Sequence, residues 1–237
     1  MTTLLRIEDE LLLFEFEERL NRFLVKLRSG GQSSLAHLRD PGRLKEILVP
    51  RAKVLAKRVA RKGRKTSLEV MFVENGGVWV LVNSGLHNEI AAAMFEKGLV
   101  EEYRGYSVVR REFKLGKSRI DLVLEGRGGT LLVEVKGCTL VLNGVGLFPD
   151  APTSRGARHL LELARTLERG FMSAVLFLIA RPDVKSFTAN KRVDPVFYEA
   201  FLRAHAKGVR YLAYSIGFDR DESRIYFSHR VPVLLGG

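Results

Sequence analysis

The chain has 237 residues, 46% of them hydrophobic, and 39 Lys and Arg against 27 Asp and Glu, for a formal net charge of +12. That length suits one large domain or two modest ones, and the positive field favours a polyanionic partner, nucleic acid or an anionic membrane surface. No apolar run approaches the ~20 residues of a membrane span, the start lacks the basic-then-apolar plan of a signal peptide, and a lone Cys138 excludes an internal disulfide, so a cytoplasmic protein is expected.

Residues 4–37 carry short apolar runs at 11–16, 23–27 and 35–38, with Ser29-Gly30-Gly31-Gln32 as a turn. Asp40-Pro41-Gly42-Arg43-Leu44 breaks this pattern, and Leu44, Ile47 and Leu48 predict a short helix before Pro50. Strands resume at 53–59, 68–74 and 78–82, the last two joined by the hairpin signal Asn75-Gly76-Gly77. Five or so short strands and one small helix suit a closed barrel of the OB type, and other small barrels equally. Arg51, Lys53, Lys57, Arg58, Arg61, Lys62, Arg64 and Lys65 place eight basic residues in fifteen with no acid among them. Like charges this dense repel unless a polyanion collects them. Phosphate contacts without sequence reading are expected there, the alternative being a solvated basic loop.

After Asn83-Ser84-Gly85, Leu86, Ile90, Ala93 and Met94 recur at helical spacing until Gly98. A boundary near residue 82 then divides the chain into 1–82 and 83–237. Glu89 stands in the first turn, where the helix dipole favours a carboxylate. A strand is expected at 108–115. Gly116-Lys117-Ser118 looks like the end of a phosphate-binding loop, but Arg111 stands where the partner glycine is required.

Runs at 119–124 and 131–135 read as two strands, with Gly126, Gly128 and Gly129 supplying the turn between them. Alternation puts Glu134 and Lys136 on one face and Val135 on the other, and an antiparallel neighbour brings Asp121 alongside. Two carboxylates and an ammonium among Ile120, Leu122, Val133 and Val135 are expensive to bury unless they balance one another or hold a metal. Taken alone, the three also suit a solvated strand face with an ion pair. An Asp followed by Glu-x-Lys on the next strand resembles the core of the PD-(D/E)XK nuclease superfamily. The resemblance implies Mg²⁺ or Mn²⁺ on Asp121 and Glu134, with Lys136 positioning or activating water. Such ions prefer carboxylate oxygens and polarise phosphoryl groups. A first helix often adds an acid in that superfamily, which makes Glu89 a further candidate ligand.

Asn143-Gly144 marks another turn. Leu160, Leu161, Ala164 and Leu167 then predict the buried stripe of a helix ending near Gly170. Arg155 and His159, four apart, share one face near its start; a solvated face and phosphate binding by Arg155 are both open. Residues 174–179 form an uninterrupted apolar strand, buried on both faces. Asp194-Pro195 opens a last helix to 206 as N-cap and first-turn proline, and strands at 210–216 and 224–227 follow. Helix, three strands, helix, strand, helix, strand suits a mixed sheet covered on both sides.

Arg22-Phe23-Leu24-Val25, Asp40-Pro41-Gly42-Arg43-Leu44, Asn83 with Asn88, Ser118-Arg119-Ile120-Asp121, Glu134-Val135-Lys136, and Phe148-Pro149-Asp150-Ala151 with Arg155-Gly156 and His159-Leu160 share one order. In that order they are similar to the sugar fermentation stimulation protein family. The resemblance implies an α+β or α/β chain: an OB-like barrel over 1–82, then a mixed-sheet, restriction-endonuclease-like PD-(D/E)XK domain over 83–237. It also implies DNA binding in the cytoplasm, with Arg43 joining the basic residues above, and a regulatory link to sugar metabolism in bacteria. Two functions stay open: a metal-dependent DNA phosphodiesterase with little sequence preference, and a DNA-binding regulator on a nuclease-derived fold without turnover.

Overall fold

The computed structural model describes residues 1–59, 66–115 and 118–236. Of the basic residues read as phosphate contacts, Arg61, Lys62, Arg64 and Lys65 lie outside the described residues. Strand β1 (Thr3–Arg6) precedes β2 (Leu11–Asn21), β3 (Leu24–Ser29), β4 (Gln32–His37), β5 (Lys53–Arg58), β6 (Leu68–Asn75) and β7 (Val78–Leu81). β2 to β6 pair in the order β4-β3-β2-β5-β6, and a parallel register of Ala36 with Leu68 and His37 with Glu69 joins β4 back to β6. That joint closes a five-stranded OB barrel. Its inward residues follow the two-residue period, with Val25, Leu27, Val54 and Phe72 fully buried.

The helix expected at 44–48 is a set of turns. Leu44 has φ of +53°, a conformation that does not start a right-handed helix, and its N–H is given to Asp150 Oδ2 at 3.1 Å.

Beyond the barrel come α1 (His87–Glu96), β8 (Ser107–Leu115), β9 (Ser118–Gly126), β10 (Gly129–Cys138), β11 (Val141–Leu142), β12 (Val145–Phe148) and α2 (Ser154–Leu167). β13 (Met172–Ile179), β14 (Ser186–Ala189), α3 (Pro195–Ala206), β15 (Arg210–Asp219), β16 (Arg224–Arg230) and β17 (Val233–Leu234) complete the chain. A seven-stranded sheet runs β1-β16-β15-β13-β10-β9-β8, with β13 parallel to both β10 and β15. β1, read with the 1–82 unit, thus leaves the barrel and pairs with β16, Arg6 opposite Arg224. It covers what would otherwise be an open edge.

Helices α2 and α3 pack one sheet face, Leu160, Leu163, Phe197 and Phe201 meeting Val175 and Phe177. On the other face one buried cluster runs from Val25 and Phe72 of the barrel through Ile90 and Phe95 of α1 to Leu122, Leu176 and Phe218. Phe72 stacks on Phe218 with centroids 3.8 Å apart, so the barrel is packed directly onto the sheet. Cover on both faces explains the unbroken apolar sequence of β13. Leu161, expected in the α2 stripe, is exposed, and Leu163 takes its place beside Leu160 and Ala164. β11, β12, β14 and β17 form a separate four-stranded sheet; its strands of two to four residues are too short to show a period in the sequence.

Candidate active site

The β9–β10 hairpin sets the register that the site needs. Leu124 faces Leu131 and Leu122 faces Val133, where the pairing ends, so Asp121 and Glu134 each stand one residue beyond the last pair. The backbone N–H of Val135 donates to Asp121 Oδ2 at 2.7 Å, and Asn88 Nδ2, from α1, donates to Oδ1 at 3.1 Å. Glu134 is 2% exposed. Its Oε1 accepts from Lys136 Nζ and lies 2.5 Å from Nδ1 of the buried His159 on α2. Among the described residues its Oε2 is buried without a hydrogen-bond partner. A carboxylate oxygen in that position is costly.

The charges respond to this packing. Burial first, and then the charge of Glu134, push the Asp121 pKa above the ordinary range, against the Val135 N–H that holds it down. Burial alone would raise Glu134 too, but the His159 hydrogen bond and the Lys136 charge outweigh it and hold its pKa low. The arrangement fits a cation: two carboxylates repel across adjacent strands, and one oxygen waits unpaired. Among the described residues no group of three or more His, Cys, Asp or Glu converges as a ligand set. A cation here would therefore rest on Asp121, Glu134 and water, as Mg²⁺ does elsewhere.

These residues line a cleft of about 430 Å³ between the barrel and the sheet. One wall is the 40–42 loop with Arg22; the other is the 147–153 segment, which includes the cis Phe148–Pro149 bond. The walls are tied by the Leu44 N–H to Asp150 bond. Gly42 is required between them, since an added Cβ would lie 2.6 Å from Asp150 Oδ2 and 2.9 Å from Asp40 Oδ1. Asp40 is buried, and burial, with the Asp150 charge behind it, lifts its pKa to about 6. At the far end His87, held neutral with a pKa lowered by burial to about 4, sits over the bare Gly137. Cys138, its thiol pushed up to about 12 by burial, is inert.

Asp121, Glu134, Lys136 and Arg155 thus line one cleft, Arg155 Nε donating to His159 Nε2 at 3.3 Å. Glu89 is exposed and does not line it; Asn88, one residue earlier, makes the contact to Asp121. Arg43 is exposed on a neighbouring groove. Arg51, Lys53 and Lys57 each meet an acid from another strand or loop: Glu15 at 3.9 Å, Glu74 at 4.0 Å and Asp9 at 2.7 Å. The basic run lacks acids only along the sequence; the fold brings them in from other segments. Arg58 is exposed. His159, which suited a solvated helix face, is buried against Glu134; its signal was the shared face with Arg155 on the helix after Glu-x-Lys. A larger cavity of about 900 Å³ lies elsewhere, and its Arg230 and Glu102 pair with each other.

An OB barrel packed on a mixed sheet whose adjacent strands carry Asp and Glu-x-Lys defines a nuclease-like protein of the restriction-endonuclease type. Residues 85–222 match the sugar fermentation stimulation protein RE domain and residues 18–82 its N-terminal OB domain. The chain belongs to the sugar fermentation stimulation protein family. It is 44% identical to a sugar fermentation stimulation protein homolog of Methanothermobacter thermautotrophicus, over 90% of this chain and 89% of that protein. A homolog from Caldanaerobacter subterraneus is 41% identical over 97% and 99%. The solved structure of Pyrococcus furiosus SfsA in complex with Ca²⁺ superposes with a TM-score of 0.91 at 27% identity, covering 99% of this chain and 100% of that one. No helix among the described residues is long and apolar enough to cross a membrane.

Proposed function

We propose that this protein is a cytoplasmic, divalent-metal-dependent DNA phosphodiesterase with little sequence preference. The observation that carries the reading is the buried, unpartnered Glu134 Oε2 beside Asp121 and Lys136 in the cleft. Support for a cation comes also from the Ca²⁺ bound by the Pyrococcus furiosus relative. Support for DNA comes from the charge of +12 and from a barrel of a class that serves oligonucleotides.

Asp121 and Glu134 would hold Mg²⁺ or Mn²⁺, which would supply Lewis acidity toward a phosphoryl oxygen. Lys136 is 15% exposed at its side chain and so reaches the cleft while anchored to Glu134. Its ammonium orients water and offsets the charge that develops on the phosphoryl oxygens. His159 fixes the rotamer of Glu134 from behind, and Arg155 offers a guanidinium to the phosphate.

The test uses labelled single- and double-stranded DNA with and without Mg²⁺ or Mn²⁺, alongside melting curves. A cation at a hundred times its Kd should stabilise the fold by about 2.7 kcal/mol. Asp121→Asn should abolish that rise, and Lys136→Ala should keep it and lose cleavage. A metal response without cleavage by the wild type would turn the reading to a DNA-binding regulator. Absence of Mg²⁺ and Mn²⁺ binding with DNA present would reduce the cluster to an ion-pair network.

A further inference from the structure

A second groove, about 600 Å³, adjoins the cleft. The two share Arg22, Pro41, Gly42, Ala151 and Pro152 in their linings, and cleft and groove together are the channel a strand would follow. Arg19, Arg22, Arg43 and Lys45 line the groove, and no acidic residue does among the described residues. Their roles divide. Arg19 clamps the loop, donating to the backbone carbonyls of Arg43 and, at 2.8 Å, Arg22. Arg22 donates through Nε to Pro41 O at 2.9 Å, which leaves its two terminal nitrogens. Arg43 and Lys45 are exposed and have no carboxylate partner among the described residues. Beside Arg22 stands Phe23, 45% exposed, with the Arg22 guanidinium 5.6 Å from its ring centroid.

Cations in a track with an exposed aromatic ring beside them are the means by which proteins hold unpaired strands: phosphates along the groove, a base stacked on the ring. The floor of the channel is recessed, with Glu134 nearly inaccessible between two walls. Duplex DNA is stiff over about 150 base pairs and must be deformed to put a phosphate into such a slot. An unpaired strand bends freely.

Building on the nuclease reading above, we infer that the channel takes single-stranded DNA, entering over Phe23 and Arg22, with Arg43 and Lys45 on its phosphates, and leading one phosphate down to Asp121, Glu134 and Lys136. A duplex is then a substrate only at frayed or unpaired ends.

Binding in EDTA separates this from the reading it rests on, because it needs no turnover. Fluorescence anisotropy would compare a labelled single strand with a blunt duplex of the same sequence. Wild type should bind the single strand at least about tenfold tighter. Phe23→Ala should weaken the single strand about tenfold and leave the duplex unchanged, whereas Phe23→Tyr, which keeps a ring, should bind as wild type. Arg43→Ala with Lys45→Ala should flatten the single-strand salt slope by about 1.4, at roughly 0.7 per phosphate contact. Equal or tighter duplex binding, or a Phe23→Ala effect that is the same on both probes, would overturn the inference and leave the nuclease reading standing. Binding of neither probe in EDTA would likewise overturn the inference.

Discussion

Asp40 is held in a setting that disfavours its charge, and Asp40→Asn measures how strongly. Its pKa stands at about 6 against an ordinary 3.8. At about 1.4 kcal/mol per pH unit, that difference corresponds to roughly 3 kcal/mol. The sign follows from proton binding: the folded chain holds this proton more tightly than the unfolded one, so ionised Asp40 destabilises the fold above pH ~6. The penalty shrinks as pH falls and vanishes below the unfolded pKa. Asparagine carries no charge and keeps an oxygen for the Gly42 N–H, 2.8 Å away in the wild type. Asp40→Asn should therefore stabilise the protein near pH 7 by up to about 3 kcal/mol, roughly 6–12 °C in Tm for a chain of this length. Near pH 4 the two proteins should melt together. Thermal melts of both from pH 4 to 7.5 would show converging curves; parallel curves, or a variant less stable near neutrality, would refute the reasoning.

Two further substitutions probe the floor of the cleft. His159→Ala leaves Glu134 buried without one of its two cationic or donor partners and should cost about 3–5 kcal/mol in urea unfolding, while His159→Gln, which restores a donor, should recover part of it. Gly137→Ala would set a methyl 2.0 Å from His87 Cε1 and should cost about 1–3 kcal/mol by overpacking. A double-mutant cycle with His87→Ala should show that the cost depends on the imidazole.

Local periods carried much of the plan. Alternation along 131–138 placed Glu134 and Lys136 on one face, and the glycine-rich turn at 126–129 made an antiparallel partner for Asp121 the natural outcome. The apolar run at 174–179 announced a strand with cover on both faces. The Asp121, Glu134 and Lys136 set and its family resemblance were thus legible from residue types and spacing. The contacts that complete the site were not. Asn88 and His159 come from helices 33 residues before Asp121 and 25 after Glu134, and nothing in a helix's own period says which strand it will cover. The acids near Arg51, Lys53 and Lys57 come from other strands and loops, so a run without acids in sequence is partly neutralised in space. Closure of the barrel through β4 and β6, the passage of β1 to the far sheet, and the meeting of the 40–44 loop with Asp150 are likewise tertiary choices. Side-chain direction is set within a few residues by backbone geometry, whereas partners are selected by burial and edge pairing over the whole chain. The sequence alone therefore determined which groups could do chemistry, and only the packed structure decided what surrounds them.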